Sequence, residues 1–119
     1  MRNTNYVVIN AVSSAGSITG TAQDSGQWYR CSVIGTFTDV LSTGTFKLQG
    51  SNDVVPANNL FQDFTPTNWA DIAGATIAVT AGGTIAIPVT ELSYRAIRVV
   101  FTRTAGAGTL TARINAQGF

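Results

Sequence analysis

Alternating apolar and polar side chains, the pattern of a β-strand with one buried face, recur along the 119 residues of this chain. The pattern is clearest in residues 109–116, where every second side chain is Leu, Ala or Ile. Residues 44–49 alternate in the same way, and the Gly-Ser-Asn-Asp segment that follows them consists of residues that favour turns. Both segments are predicted strands, and residues 94–102 are the predicted sheet partner of the second.

Other segments have the apolar content of strands, and nothing in the chain shows helical periodicity over ten residues. These strands are predicted at residues 6–12, 27–38, 75–80 and 84–89. Residues 13–26, rich in Ser, Ala, Gly and Thr, predict a loop with a weak edge strand. We therefore predict an all-β fold, a jelly-roll-like antiparallel β-sandwich of seven or eight strands that forms one domain over residues 1–119.

Short segments rich in turn-forming residues separate several of these strands, and they predict two hairpins and one tight turn. Residues 39–44 would join the strand at 27–38 to the next one, residues 81–83 would form a tight turn, and residues 105–108 would form a hairpin loop. Pro88 has no backbone N–H, so its strand is expected at the edge of a sheet.

The segment 54–69 has no clear period, and it carries prolines, asparagines and three aromatic residues. Its length exceeds that of most structureless connections, and long loops in compact domains tend to be functional. We predict that it binds a partner protein through Asn58, Asn59, Leu60, Phe61, Phe64 and Trp69, with residues 1–5 as a further contact.

The low charge of the chain excludes some partners and favours others. Charged residues make up 11% of the chain and leave a net charge of +1, so we expect neither nucleic acid nor an anionic membrane as a partner. A surface poor in charge favours a protein that works inside an assembly. No apolar run approaches the length of a membrane span and the start lacks a signal-peptide pattern, so we expect a soluble protein made in the cytoplasm.

Catalytic and metal chemistry have few candidate residues. The chain has no histidine and one cysteine, and Lys47 is the sole lysine, so we expect no enzyme, no cofactor and no metal centre. Cys31 is interpreted as a small buried apolar residue. Hydrolysis by a carboxylate pair would have to use residues expected in turns or loops: Asp24, Asp39, Asp53, Asp63, Asp71 and Glu91.

Two groups of residues have alternative interpretations. Ser51, Asn52 and Asp53 could supply oxygen ligands to calcium, although an Asx-type turn that closes a strand explains them as well. The second group could form a platform for sugar stacking or could pack in the core, with the exceptions of Phe61 and Phe64, which lie in the long loop. Its members are Trp28, Tyr29, Phe61, Phe64, Trp69 and Tyr94.

Three segments, residues 46–53, 68–72 and 94–99, resemble discoidin-like, galactose-binding-type jelly rolls. In that family a strand ending in Gly-Ser-Asn-Asp precedes an Asn-Trp-x-x-Ile segment and a later Arg-Tyr-Ile-Arg-Val strand. The resemblance covers about a third of the chain and implies the fold. Because binding in that family resides in variable loops, it implies no binding residue here.

A second resemblance covers residues 27–53, 67–75 and 94–119, which end in Gly-Thr-Leu-Thr-Ala-Arg-Ile-Asn-Ala-Gln-Gly-Phe. These segments resemble small proteins encoded among the virion genes of tailed bacteriophages. The resemblance implies a virion component made in the host cytoplasm, such as a capsid decoration or cement protein or part of a fibre.

The implied partners are the major capsid protein or other virion proteins, in a homo-oligomer for which we favour a trimer. A carbohydrate-binding adhesin or receptor-binding module of a head or tail fibre is the alternative hypothesis.

Overall fold

The computed structural model describes residues 2–26, 28–54, 66–89 and 92–118, and the regular elements of this part are all β-strands. The prediction of an all-β fold is therefore confirmed. The strands are β1 (Arg2–Ser13), β2 (Ile18–Thr19), β3 (Gln23–Asp24), β4 (Trp28–Phe37), β5 (Thr43–Ser51), β6 (Asp53–Val54), β7 (Pro66–Thr67), β8 (Ala70–Val79), β9 (Gly83–Val89), β10 (Ala96–Ala105) and β11 (Thr109–Gly118).

Two antiparallel sheets pack face to face as a sandwich. Sheet A has the strand order β1-β11-β4-β9, and sheet B has the order β2-β10-β5-β8, with β3 also paired to β10. Apart from the two-residue strands β2 and β3, which both pair with β10, and from β5 and β8, which are neighbours in sheet B, successive strands of the two sheets alternate between them. This is the connectivity of a jelly roll. The short pair β6–β7 stands apart from both sheets. The predicted jelly-roll-like sandwich is confirmed.

The core lies between the sheets, and the central strands β5 and β10 supply large side chains to it. Phe46 faces Phe101 and Leu48 faces Val99 across this pair, and all four side chains are fully buried. Phe37 reaches over from sheet A and meets the ring of Phe101 edge-on, with 4.9 Å between the ring centroids. The predicted pairing of these two segments is confirmed.

The two predicted hairpins are wrong in the same respect, because each connection crosses from one sheet to the other, and the predicted tight turn at residues 81–83 also lies between strands of different sheets. β4 lies in sheet A and β5 in sheet B, and the pairs β8–β9 and β10–β11 are divided in the same way. Turn residues determine where a chain reverses. Which sheet the next strand joins depends instead on the apolar face that it must cover, and a short segment carries no information about that.

The edges of the sheets agree with the sequence, although two strands begin several residues before their predicted starts. Pro88 lies in the edge strand β9, and residues 13–26 contain the two-residue edge strands β2 and β3. β1 begins at Arg2 and β8 at Ala70, ahead of the predicted starts. Apart from Ile72, the added residues are polar or small, and they extend these strands because β11 and β5 pair with them.

Cys31 is buried on the inner face of β4, and its burial raises the pKa of the thiol to about 11. The interpretation of Cys31 as a small core residue is confirmed. Within the described ranges, no helix has the length and apolar character needed to cross a membrane.

Gly50 lies directly beneath the ring of Tyr94, and this contact predicts the effect of a methyl group. A Cβ at Gly50 would come within 2.7 Å of three atoms of the Tyr94 ring, so Gly50→Ala must displace the ring. We expect a loss of about 1–3 kcal/mol in the free energy of unfolding, the usual cost of overpacking, measured by urea denaturation. Gly16→Ala is the control, since a Cβ at Gly16 would have no neighbour within 4 Å. Equal stability of the two variants would contradict the prediction.

Candidate functional site

Trp69 is the member of the predicted contact set that lies in the described part of the chain. It precedes β8 and is half-buried, and the guanidinium carbon of Arg98 lies 4.4 Å from the centre of its ring. This cation–π contact fixes the side chain against sheet B. The remaining predicted contact residues lie outside the described residues, and their role stays a prediction: Asn58, Asn59, Leu60, Phe61 and Phe64.

A row of polar side chains extends from Trp69 across three strands on the outer face of sheet B. Arg98 donates from Nε to Oε1 of Gln49 at 2.9 Å, and Gln49 donates from Nε2 to Oδ1 of Asp71 at 3.0 Å. Nζ of Lys47 lies 3.2 Å from the same carboxylate. The sheet register produces this row, because Gln49 of β5 is opposite both Arg98 of β10 and Asp71 of β8.

The carboxylate of Asp71 is therefore a structural acceptor in this row. Hydrogen bonds from Gln49 and Lys47 hold the pKa of Asp71 below its usual value, since they favour the charged form. Asp24 lies in β3, Asp53 in β6 and Asp71 in β8, so the expectation that all carboxylates occupy turns or loops is wrong for these three residues. A strand accepts a charged residue on its exposed face when a neighbouring strand supplies an opposite charge, as Lys47 does for Asp71.

The Gly-Ser-Asn segment at the end of β5 joins several segments at the same end of the sandwich. Ser51 is buried, and its hydroxyl donates to the carbonyl of Thr67 at the base of segment 55–65. Oδ1 of Asn52 accepts from the backbone N–H of Arg95 at 3.0 Å. In an Asx turn, the side chain of Asn52 would bond to a backbone group two residues further along. It bonds instead to Arg95, which is far away in sequence, so the Asx-turn interpretation is wrong about the bonding partner of Asn52. Because both side chains bind protein groups, the structural role of this segment is favoured over an ion site.

The aromatic residues considered for a sugar platform do not share one surface. Trp28 is buried and stacks on Tyr6, with 5.5 Å between the ring centroids. Tyr94 packs over Gly50, whereas Trp69 lies beside Arg98. Trp28 therefore belongs to the core, and Trp69 remains a candidate for stacking on a ligand at the surface of sheet B. The side chain of Tyr29, and Phe61 and Phe64, lie outside the described part of the chain.

At the opposite end of the sandwich, the connection between β4 and β5 carries a surface that the sequence did not predict. Val40 and Leu41 are 71% and 72% exposed, although both are large aliphatic residues. The carboxylate of Asp39 accepts from the backbone N–H groups of Leu41 at 2.9 Å and Ala107 at 2.7 Å, and so joins two connections. The sequence does carry a signal for this surface. Turn tips are ordinarily polar, and here two adjacent aliphatic residues lie inside a predicted turn.

In sequence, the chain matches no protein-family model and no curated protein. In structure, it resembles the SPBc2 prophage-derived protein YomS at 12% identity and a TM-score of 0.55, covering 97% of this chain and 92% of that one. It also resembles PirA at 12% identity and a TM-score of 0.53, covering 97% and 93%. A chitosan-binding module from a Paenibacillus sp. IK-5 chitosanase/glucanase follows at 19% identity and a TM-score of 0.48, covering 93% and 75%. At these identities the first two likenesses show the fold, and the third carries no argument.

Asp39 generates a prediction about pH. Its two backbone hydrogen bonds hold its pKa below the usual value, so its contribution to stability is present above the unfolded pKa and is lost as the pH falls. Asp39→Asn keeps one acceptor oxygen and cannot titrate. Between about pH 5 and pH 3 we therefore expect the melting temperature of the wild type to fall further than that of Asp39→Asn. Asp71 titrates in both proteins and cancels, so parallel melting curves would refute the assignment.

Proposed function

We propose that this chain is a non-enzymatic structural protein of a phage virion, and that it binds the head shell as a capsid decoration or cement protein. The observation that carries the proposal is the jelly-roll fold, which matches the prophage-derived YomS over nearly the whole length of both chains. The resemblance of residues 94–119 to small phage virion proteins supports the same assignment, and so does the low charge of the chain.

The positions of the predicted contact elements support the proposal, because both belong to one end of the sandwich. β5 ends at Ser51, and the pair β6–β7 closes the base of segment 55–65 there. β1 begins at the same end, since Arg2 pairs with Gly118 and Gly118 with Trp28 at the start of β4. One end could therefore contact a partner through residues 1–5 and 54–69 together.

Shell binding of this kind depends on repetition. A surface with few charges makes weak individual contacts, but many copies on a lattice, or several sites in one homo-oligomer, raise the overall affinity. A protein that binds only the assembled shell stabilises that shell by mass action. The major capsid protein is the proposed partner, with other virion proteins as a second choice.

A carbohydrate-binding module is the second candidate function, and the surroundings of Trp69 are the observation that favours it. A half-buried indole lies next to a row of hydrogen-bonding groups on Arg98, Gln49 and Asp71. Stacking on an aromatic ring combined with fixed polar groups suits a sugar, which has both apolar ring faces and hydroxyl groups. In this case the chain would serve as an adhesin or receptor-binding module of a fibre.

Removal of the loop tip tests the first candidate. Deleting residues 58–64 leaves four residues between β6 and β7, enough to close that pair, so we expect a folded protein. It should no longer co-sediment with purified shells of its own phage. Circular dichroism and thermal unfolding check the fold, and sedimentation checks the binding.

The control for this deletion is a double variant at the other end, Val40→Ser with Leu41→Ser. It removes exposed aliphatic surface about nine strand residues away, roughly 30 Å, and should still co-sediment. Retained binding by the deletion variant would refute the assignment of the contact to segment 54–69.

A glycan array with the isolated protein separates the two candidates. The fibre hypothesis predicts binding to at least one glycan, with a loss of about tenfold or more in Trp69→Ala, because stacking on an aromatic ring contributes on the order of 1 kcal/mol or more. The double variant at Val40 and Leu41 should bind as the wild type does. A cement protein should bind shells and no glycan, so a glycan signal sensitive to Trp69 would overturn the first candidate.

A further inference from the structure

The edges of the two sheets differ in how they are protected against pairing with another strand. An edge strand presents unpaired backbone N–H and C=O groups, which can bind a further strand. Proteins block such pairing with proline, bulges, charges or very short strands. Among the described residues, the outermost strands are β1 and β9 of sheet A, and β8 and the β2/β3 pieces of sheet B.

Three of these edges carry a protective device. β9 contains Pro88, which has no N–H to donate. β8 leaves its register with β5 between residues 71 and 76, where Gly74 has a φ of 78°. β2 and β3 are two residues long each, so neither offers a continuous edge.

The first half of β1 lacks every one of these devices. Residues 2–7 pair with β11 in unbroken register, from Arg2 opposite Gly118 to Val7 opposite Arg113. No proline and no charge occurs from Asn3 to Val7. The bulges begin after Val7, and there the carbonyl of Val8 already accepts from the N–H of Thr21 at 3.1 Å. In the described part of the chain, no strand pairs with the outer edge of Arg2–Val7.

We propose that residues 3–7 form an antiparallel strand pair with the same residues of a second copy of this chain. The two copies would be related by a two-fold axis at Asn5. Side chains directly opposite each other in a sheet lie on the same face. A two-fold axis perpendicular to the sheet must therefore pass midway between one residue and the same residue of the second copy. Centring on Asn5 uses the whole unprotected stretch: Asn3 meets Val7, and Thr4 meets Tyr6. The two copies of sheet A then form one continuous sheet.

The side chains of the stretch favour a second copy as the occupant. Asn5 already donates from Nδ2 to Oδ1 of Asn115 at 2.5 Å, and self-pairing would extend this row to four amides on the outer face. The charged Arg2 residues of the two copies would lie about 20 Å apart, at opposite ends of the paired segment, so they would not repel each other strongly. The new strand would also cover Tyr6, which is half-buried, and Val7, which is 47% exposed.

This dimer is tested on the isolated protein, without the shell, but it uses residues 3–5, which the proposed function assigns to the shell contact. A dimer through this edge leaves segment 54–69 as the shell contact. It accounts for two chains, and the trimer favoured from the sequence would need a different surface. We expect wild-type protein to sediment as a dimer, and Asn5→Lys to weaken the dimer about tenfold or more, because two lysines would face each other across the axis. Thr36→Lys is the control, since it adds the same charge on an exposed position of the inner strand β4 and should leave the dimer intact.

A cysteine placed on the axis tests the register directly. Opposed Cα atoms in an antiparallel pair are about 4.5–5.5 Å apart, within the range for a disulfide. Asn5→Cys should therefore form a covalent dimer on mild oxidation, while Thr36→Cys should not. Cys31 does not compete, because it is buried and its thiol pKa is raised. A monomeric wild type, an oligomer unchanged by Asn5→Lys, or a failure of Asn5→Cys to cross-link faster than Thr36→Cys would each overturn the proposal.

Discussion

The pairing of β5 with β10 is the interaction on which the rest of the sandwich depends. Phe46, Leu48, Val99 and Phe101 form two fully buried cross-strand pairs at the centre of sheet B. Sheet A packs onto this surface, and Phe37 meets it directly. With apolar burial contributing about 25 cal/mol per Å², these large side chains account for much of the stabilisation that orders the polar outer faces. The polar row that ends at Trp69 exists because this register places Gln49 beside Arg98.

The connections between the sheets show a second constraint. Polar backbone groups at both ends of the sandwich need hydrogen-bond partners. A crossover leaves backbone groups without a ladder partner. The N–H of Gly82 bonds instead to the carbonyl of Ser42, and at other connections side-chain oxygens take this role. Asp39 accepts two N–H groups at one end, and Ser51 and Asn52 bind Thr67 and Arg95 at the other. Side chains that looked like ligand residues in the sequence thus mostly hold the connections together. For this reason the residue types in turns alone are a poor guide to function.

Features set by residues close together in sequence could be predicted, and most features set by residues far apart in sequence could not. Alternation in residues 44–49 and 109–116 reports on burial, so the strands, the all-β class and the β5–β10 pairing could be predicted. The crossovers could not, because glycine-rich turns permit a hairpin or a change of sheet equally well. Asp71 was placed in a loop because its strand is held by partners distant in sequence. The exposure of Val40 and Leu41 did not follow from alternation, because they lie in a connection, where no period distinguishes buried from exposed side chains.

The pairing of β1 with β11 has a consequence for how the protein folds. Arg2 is opposite Gly118, so sheet A joins the two most distant parts of the described chain. Contacts of such high sequence separation form late and slow folding, since the entropy of closing the loop must be met first. During synthesis, β1 and β4 remain without the strand that lies between them until β11 has left the ribosome. Sheet A is therefore expected to be completed only once β11 has been made, and until then β1 lacks its neighbour in that sheet.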